Sequence, residues 1–342
     1  MIHGSLAPVE SDSWQSLLAS SITDPRTLLE RLNLDPALLD PALAASAEFA
    51  LRVPEPYLAR MQPGNPHDPL LRQVLPVGEE LLAQPGYQLD PLGEQHSNAR
   101  PGIIHKYHGR LLLVVSGGCA INCRYCFRRH FPYADNNLST EQWHQALDYI
   151  RQDPSLSEVI YSGGDPLAAN DRRLAWLTRE IAAIPHIRRL RVHTRLPVVI
   201  PQRVTPELIE ALCGTRLPVT MVLHCNHANE VDRHLGSAVQ RLRAAGITLL
   251  NQAVLLRGVN DRLDQQLELS ETLGDHGILP YYLHVLDHVK GAQHFHIDDR
   301  QAQTLVGQML GRLPGFLVPR LVREVAGRAG KLPLPVELIE IE

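Results

Sequence analysis

From Arg110 onward, short apolar runs alternate with longer stretches whose apolar residues recur every three or four positions. The runs Arg110–Ser116, Ser157–Ser162, Arg188–Thr194, Leu217–His224, Ile247–Val254 and Leu279–Val285 have the length and β-branched content of buried parallel strands. Between them lie amphipathic helical patterns. In the first, Ser139 is placed to cap, Gln142 to close a capping box, and Trp143, Ala146, Leu147 and Ile150 share one face. The others cover Asp171–Ile184, Pro206–Cys213, Glu230–Ala245 and Arg262–His276, with a last one at Asp299–Leu313. Strand and helix repeated six times predict βα units around a parallel α/β sheet, either doubly wound or barrel-like. Both layouts put chemistry at the carboxyl ends of the strands.

Residues 1–95 differ in texture. They are rich in Leu, Ala, Pro and Asp, and Trp14–Ser21 and Asp24–Leu34 read as short helices broken by prolines. Met61–Gly102 reads as loop, punctuated by Pro and Gly. The expected organisation is an N-terminal helical domain with its connection over 1–95, the α/β body over 96–312, and a C-terminal segment over 313–342.

Apolar residues make up 44% and charged residues 20%, the balance of a globular protein rather than a disordered one. A net charge of −4 gives no broad basic surface, so neither nucleic acid nor a membrane surface is an expected partner. No basic start followed by an apolar run marks a leader, and no run reaches the roughly 18 apolar residues of a membrane span. The expected location is the cytoplasm.

Three of the five cysteines fall within eight residues, in Ser116-Gly-Gly-Cys119-Ala-Ile-Asn-Cys123-Arg-Tyr-Cys126, directly after the first predicted strand. An odd count speaks against a disulfide framework. Three thiolates at this spacing suit three irons of a [4Fe–4S] cubane, leaving the fourth iron open where such clusters normally carry a fourth cysteine. The alternative is a structural zinc site completed by Cys213, Cys225 or a histidine. Histidine pairs such as His224/His227 and His294/His296 lack further ligands at metal spacing and are taken as surface or pocket-lining.

The C-x3-C-x2-C motif at the end of the first strand of a βα series resembles the radical S-adenosylmethionine superfamily. Ser162, Gly163, Gly164 and Asp165, after the second strand, resemble its segment that contacts the methionine amino group. The likeness narrows to the lysine 2,3-aminomutase family through Cys126-Phe-Arg128-Arg129, Thr194–Leu208, His224–Glu230, Asn251–Asp261, Pro280–Tyr282 and Asp287. It covers about Tyr107 to Lys331.

That resemblance implies a partial (β/α)6 barrel binding a [4Fe–4S] cluster, S-adenosylmethionine and pyridoxal phosphate, and an isomerase shifting the amino group of lysine from C2 to C3 by radical chemistry. Lys331, in Gly327-Arg-Ala-Gly330-Lys331, matches the lysine that holds pyridoxal phosphate as a Schiff base. Arg128 matches the residue gripping the substrate carboxylate. Asp287 and Glu324 match the acids that receive the ε-ammonium, with glutamate at a position the free-lysine enzymes fill with aspartate. Arg110, Arg195, His224 and Gln252 are expected to line the cofactor pocket.

The longer relatives' zinc-binding cysteines are expected to be absent. Phe127–His130, Glu324 and the short tail are similar to the bacterial aminomutase branch that makes (R)-β-lysine for elongation factor P, through a downstream ligase. A catabolic lysine or other amino acid mutase, a radical enzyme without pyridoxal phosphate, and a non-enzymatic iron–sulfur or zinc module are the rivals. A reducing electron donor is implied, and the oligomeric state is open.

Overall fold

The computed structural model describes residues 13–336, so the outermost parts of the two expected terminal segments, 1–12 and 337–342, lie outside the described residues. Nine strands form a single sheet in sequence order: β1 (Ile103–Tyr107), β2 (Arg110–Ser116), β3 (Glu158–Gly163), β4 (Arg189–Thr194), β5 (Val219–Leu223), β6 (Thr248–Val254), β7 (Leu279–His284), β8 (Arg320–Arg323) and β9 (Leu332–Pro333). From β2 to β8 every pairing is parallel, while β1 and β9 pair antiparallel at the two edges. The fold is mixed α/β, a partial barrel whose edges, among the described residues, do not hydrogen-bond to each other.

The period-2 rule decides which side chains face outward. On β2 to β5, Leu111, Leu113, Val159, Tyr161, Leu190, Val192, Met221 and Leu223 are buried in the main hydrophobic cluster, which also holds Leu147, Leu177 and Leu242 of the covering helices. Trp14, Leu28, Tyr57 and Leu70 of the N-terminal region join the same cluster. Alternate residues, including Ser162, His193, His224 and Gln252, take the opposite face.

The six expected strands all form, within two residues of their expected limits. Ser139 and Gln142 make the predicted capping box of helix Thr140–Gln152. The helix expected from Glu230 begins at Arg233 instead. Asp232 caps it, whereas the Glu230 carboxylate turns inward to the backbone N–H groups of Asn226 and His227 at 2.8 and 3.1 Å. The last predicted helix stops at Leu310, with Gly311 as its cap. Met61–Gly102, expected as loop, contains single helical turns at Pro69–Arg72, Gly78–Leu81 and Glu94–Ser97, too short to leave a periodic pattern. Strands β1, β8 and β9 were not expected. Each is short, and two of them carry too few apolar residues to be read as strands.

Candidate active site

The cysteine loop leaves β2 at Ser116 and is knitted to the end of β3. Gly164 N–H donates to Ser116 O at 2.9 Å, and Asp165 N–H donates to Gly118 O at 2.8 Å. Space there is tight. A Cβ on Gly164 would lie 2.7 Å from the carbonyls of Gly117 and Gly118 and 2.9 Å from Cys119 Sγ. Gly163 has φ +124°, a backbone that side chains resist. The pair of glycines is thus required by a close approach of two loops.

From the other side, the N-terminal region braces the loop. The fully buried Arg124, between two of the cysteines, donates to both carboxylate oxygens of Glu80 at 2.8 and 2.6 Å and to Phe49 O at 2.7 Å. Arg129 adds a bond to Glu80 at 2.8 Å.

Burial, together with repulsion from Cys126 and Asp165, holds the Cys119 thiol well above its ordinary range. Burial and Cys123 push Cys126 to about 12. Thiols crowded this way ionise when a group bringing positive charge joins them, as the irons of a cluster do. The donor set therefore fits a cubane held by Cys119, Cys123 and Cys126. Cys213 and Cys225 lie on other elements, the helix Pro206–Cys213 and the turn after β5. Among the described residues no three His, Cys, Asp or Glu side chains gather around a single metal ion, whereas a cubane takes each of the three thiolates on its own iron.

Asp165 spends its carboxylate on the fold. It accepts from Thr194 Oγ1 at 2.7 Å, from Leu167 N–H at 3.0 Å, and from the N–H groups of Arg195 and Leu196, both at 2.8 Å. The end of β4 is thereby pinned to the end of β3. The Arg195 side chain then reaches Cys123 Sγ at 2.7 Å, Tyr125 Oη at 2.6 Å, Gln73 Oε1 at 2.6 Å and Glu230 Oε2 at 2.9 Å.

Deeper in the barrel, His224 and Gln252 are in contact at 2.7 Å. Burial, with Arg195 beyond it, pushes His224 down to about 3, and burial likewise depresses His193 and His284. These imidazoles are neutral, and Nε2 of His193 and of His284 has no hydrogen-bond partner among the described residues.

A second polar cluster spans the open edge of the sheet. Glu324, just past β8, accepts from Lys331 Nζ at 2.7 Å, Lys106 Nζ at 3.1 Å and Tyr107 Oη at 2.9 Å. Burial alone would raise its carboxyl, but Lys331 and Lys106 hold it well below the carboxylate range. Lys106 also pairs with Glu94 at 2.9 Å, and Glu94 grips Arg128. Asp287 stands near these groups with no hydrogen-bond donor to its carboxylate among the described residues, and burial, with Glu324 next, pushes it up to about 7. Lys331 Nζ lies 5.7 Å from the centre of the Tyr282 ring.

The structure thus groups the expected residues in two sets. One comprises the three cysteines, Ser162 to Asp165 and Arg195. The other comprises Lys331, Glu324, Asp287 and Arg128, with Arg128 joined to the first set through Ser162 Oγ at 2.9 Å. Arg110, at the start of β2, stacks 4.6 Å over the ring of Tyr107, whose hydroxyl donates to Glu324, so it adjoins the second set. Sequence reasoning missed Glu94, Lys106, Tyr107 and Glu230. None carried a local signal: Lys106 and Tyr107 sit in an edge strand without alternation, Ile-Ile-His-Lys-Tyr, and the others lie in loops or single turns.

Residues 113–269 match the radical SAM superfamily. With the cysteine loop, the adjoining glycines and the partial barrel, this defines a radical S-adenosylmethionine enzyme carrying a [4Fe–4S] cluster. The chain is 51% identical over 328 residues to L-lysine 2,3-aminomutase of Escherichia coli (strain K12), covering 96% of both chains. It is 49% identical to that of Haemophilus influenzae over 94% of this chain and 95% of the relative. Identity to that of Clostridium subterminale is 37%, over 81% of this chain and 67% of the relative. The chain belongs to the lysine 2,3-aminomutase family and is an isomerase. The solved structure "Native anSMEcpe with bound AdoMet and Kp18Cys peptide" overlays only loosely, at TM-score 0.45 and 10% identity over 58% of each chain. No helix among the described residues is long and apolar enough to cross a membrane.

Proposed function

We propose that this enzyme converts (S)-α-lysine to (R)-β-lysine in the cytoplasm, with pyridoxal phosphate held by Lys331, to supply the modification of elongation factor P. The observation that carries the lysine reading is Asp287, a carboxyl crowded by protein and by Glu324, with Lys331 and Lys106 acting on it only from a distance and no ion pair among the described residues. A substrate ammonium is the partner it lacks. The elongation factor P assignment rests on the likeness of Phe127–His130 and of Glu324 to that branch.

Bound pyridoxal phosphate would supply an electron-delocalising ring on the migrating nitrogen. The chain's own residues do the rest. Lys331 holds the cofactor and exchanges it for substrate. Arg128 takes the α-carboxylate through its guanidinium, and Asp287 takes the ε-ammonium. Ser162, Gly163, Gly164 and Asp165 shape the floor on which S-adenosylmethionine meets the cysteine loop. The neutral His193, His224 and His284 offer hydrogen bonds without adding charge to the interior. The N-terminal region, braced through Arg124 and Glu80, keeps water from the cysteine side.

The test is anaerobic reconstitution with iron, sulfide and pyridoxal phosphate, followed by α-lysine, S-adenosylmethionine and a reductant. β-Lysine should form with the wild type and not with Lys331→Ala, which should still cleave S-adenosylmethionine. Equal product from both proteins would remove the pyridoxal phosphate role. No product from either, with intact clusters, would sink the aminomutase reading.

A further inference from the structure

Glu94 belongs to the short turn Glu94–Ser97, before β1 and outside the matched superfamily region. Its carboxylate is 4% exposed and grips one edge of the Arg128 guanidinium, taking Nε at 2.5 Å and Nη2 at 2.9 Å. A guanidinium carries five N–H groups in a rigid plane. Two go to Glu94, and Nη1 gives one to Ser162 Oγ at 2.9 Å. Nη1 also approaches Gly163 O at 3.5 Å, the long limit of a hydrogen bond, and that carbonyl already accepts Tyr133 Oη at 2.9 Å. Terminal N–H groups on Nη1 and Nη2 therefore remain to be claimed along the edge away from Glu94.

We propose that Glu94 is a positioning residue for the substrate carboxylate: it stays bound to one edge of Arg128 and fixes the other edge for the amino acid. The inference rests on the reading that Arg128 binds that carboxylate. Because the guanidinium is planar, locking one edge orients the other, and the orientation costs nothing further when substrate arrives. Lys106 holds Glu94 from behind, so the N-terminal connection, β1 and the C-terminal segment meet at one substrate contact.

Binding of lysine and of cadaverine, which lacks the carboxylate, to the reconstituted enzyme separates the possibilities by calorimetry. Glu94→Asp keeps the charge and shortens the reach by one methylene. The expected result is a lysine Kd raised on the order of tenfold, with cadaverine unchanged, the loss of about one well-formed charge-assisted contact. Tighter lysine binding by Glu94→Asp would overturn the proposal, since Glu94 would then be a competitor that substrate displaces. Equal weakening of lysine and cadaverine, with a lowered Tm, would also overturn it, leaving only a structural role. Arg128→Lys tests the underlying reading separately. It should weaken lysine but not cadaverine, and Glu94→Asp should add nothing in that background. An unchanged lysine Kd in Arg128→Lys would dismiss the Arg128 reading and the Glu94 proposal with it.

Discussion

Lys106 on β1 and Glu324 beyond β8 stand 3.1 Å apart, joining two edges of a sheet that no backbone hydrogen bond connects. The same carboxylate also binds Tyr107 and Lys331. Side chains therefore close what the strands leave open, and they do so beside the residue proposed to hold the cofactor.

Glu324→Gln should lower stability by roughly 2 kcal/mol, less than the cost of breaking a fully buried pair because Lys331 and Lys106 are only partly buried. Glu324 is held below its unfolded value of 4.5, so its contribution is present above that pH and lost as pH falls through the folded value. Denaturant unfolding of wild type and variant at pH 7 and pH 4 checks both statements. The gap between the two proteins should narrow at the lower pH.

Burial, with Glu324 next, pushes the Asp287 carboxyl up to about 7, and only its ionised form pairs with an ammonium. Below that pH the carboxyl takes up a proton and the attraction disappears. Lysine affinity should therefore fall on the order of tenfold from pH 8 to pH 6, while norleucine, with the same α-groups and no ε-ammonium, should show no such slope. Parallel pH profiles for the two ligands would refute the role of Asp287.

Gly164→Ala should abolish cluster loading, because its Cβ would sit 2.9 Å from Cys119 Sγ and 2.7 Å from two carbonyls. Gly315→Ala, where a Cβ meets nothing within 4 Å, should load iron like the wild type. Iron and sulfide content per chain after anaerobic reconstitution gives the answer.

Each of Cys119→Ala, Cys123→Ala and Cys126→Ala should lose the cluster, whereas Cys213→Ser and Cys225→Ser should keep it. The absorbance of the reconstituted proteins in the visible region distinguishes the two groups. Loss of the chromophore in either serine variant would point to a fourth protein ligand.

Much of this arrangement was legible in the chain. Apolar runs of strand length gave β2 to β7, because a parallel strand covered by helices must be apolar over most of its length. The cysteine motif was legible because its ligands are close in sequence and need no folding to be counted together. The edge strands were not, since Ile103–Tyr107 and Arg320–Arg323 owe their conformation to the neighbours they pair with. Glu230 misled the helix prediction for a related reason. Its sequence position suits a helix start, but its carboxylate is claimed by Arg195 from β4 and by nearby backbone N–H groups.

The βα order, the three cysteines at a strand end and the glycine pair beside them follow from the chain's local pattern. Those features depend on local spacing and on steric limits that hold wherever the residues lie. That Glu94, Lys106, Glu324 and Lys331 form one chain of charges follows from folding alone. Between Glu94 and Lys331 lie more than two hundred residues, and no local pattern specifies which cation meets which carboxylate. The sheet does so, by bringing its first strand and its last within the reach of a lysine side chain.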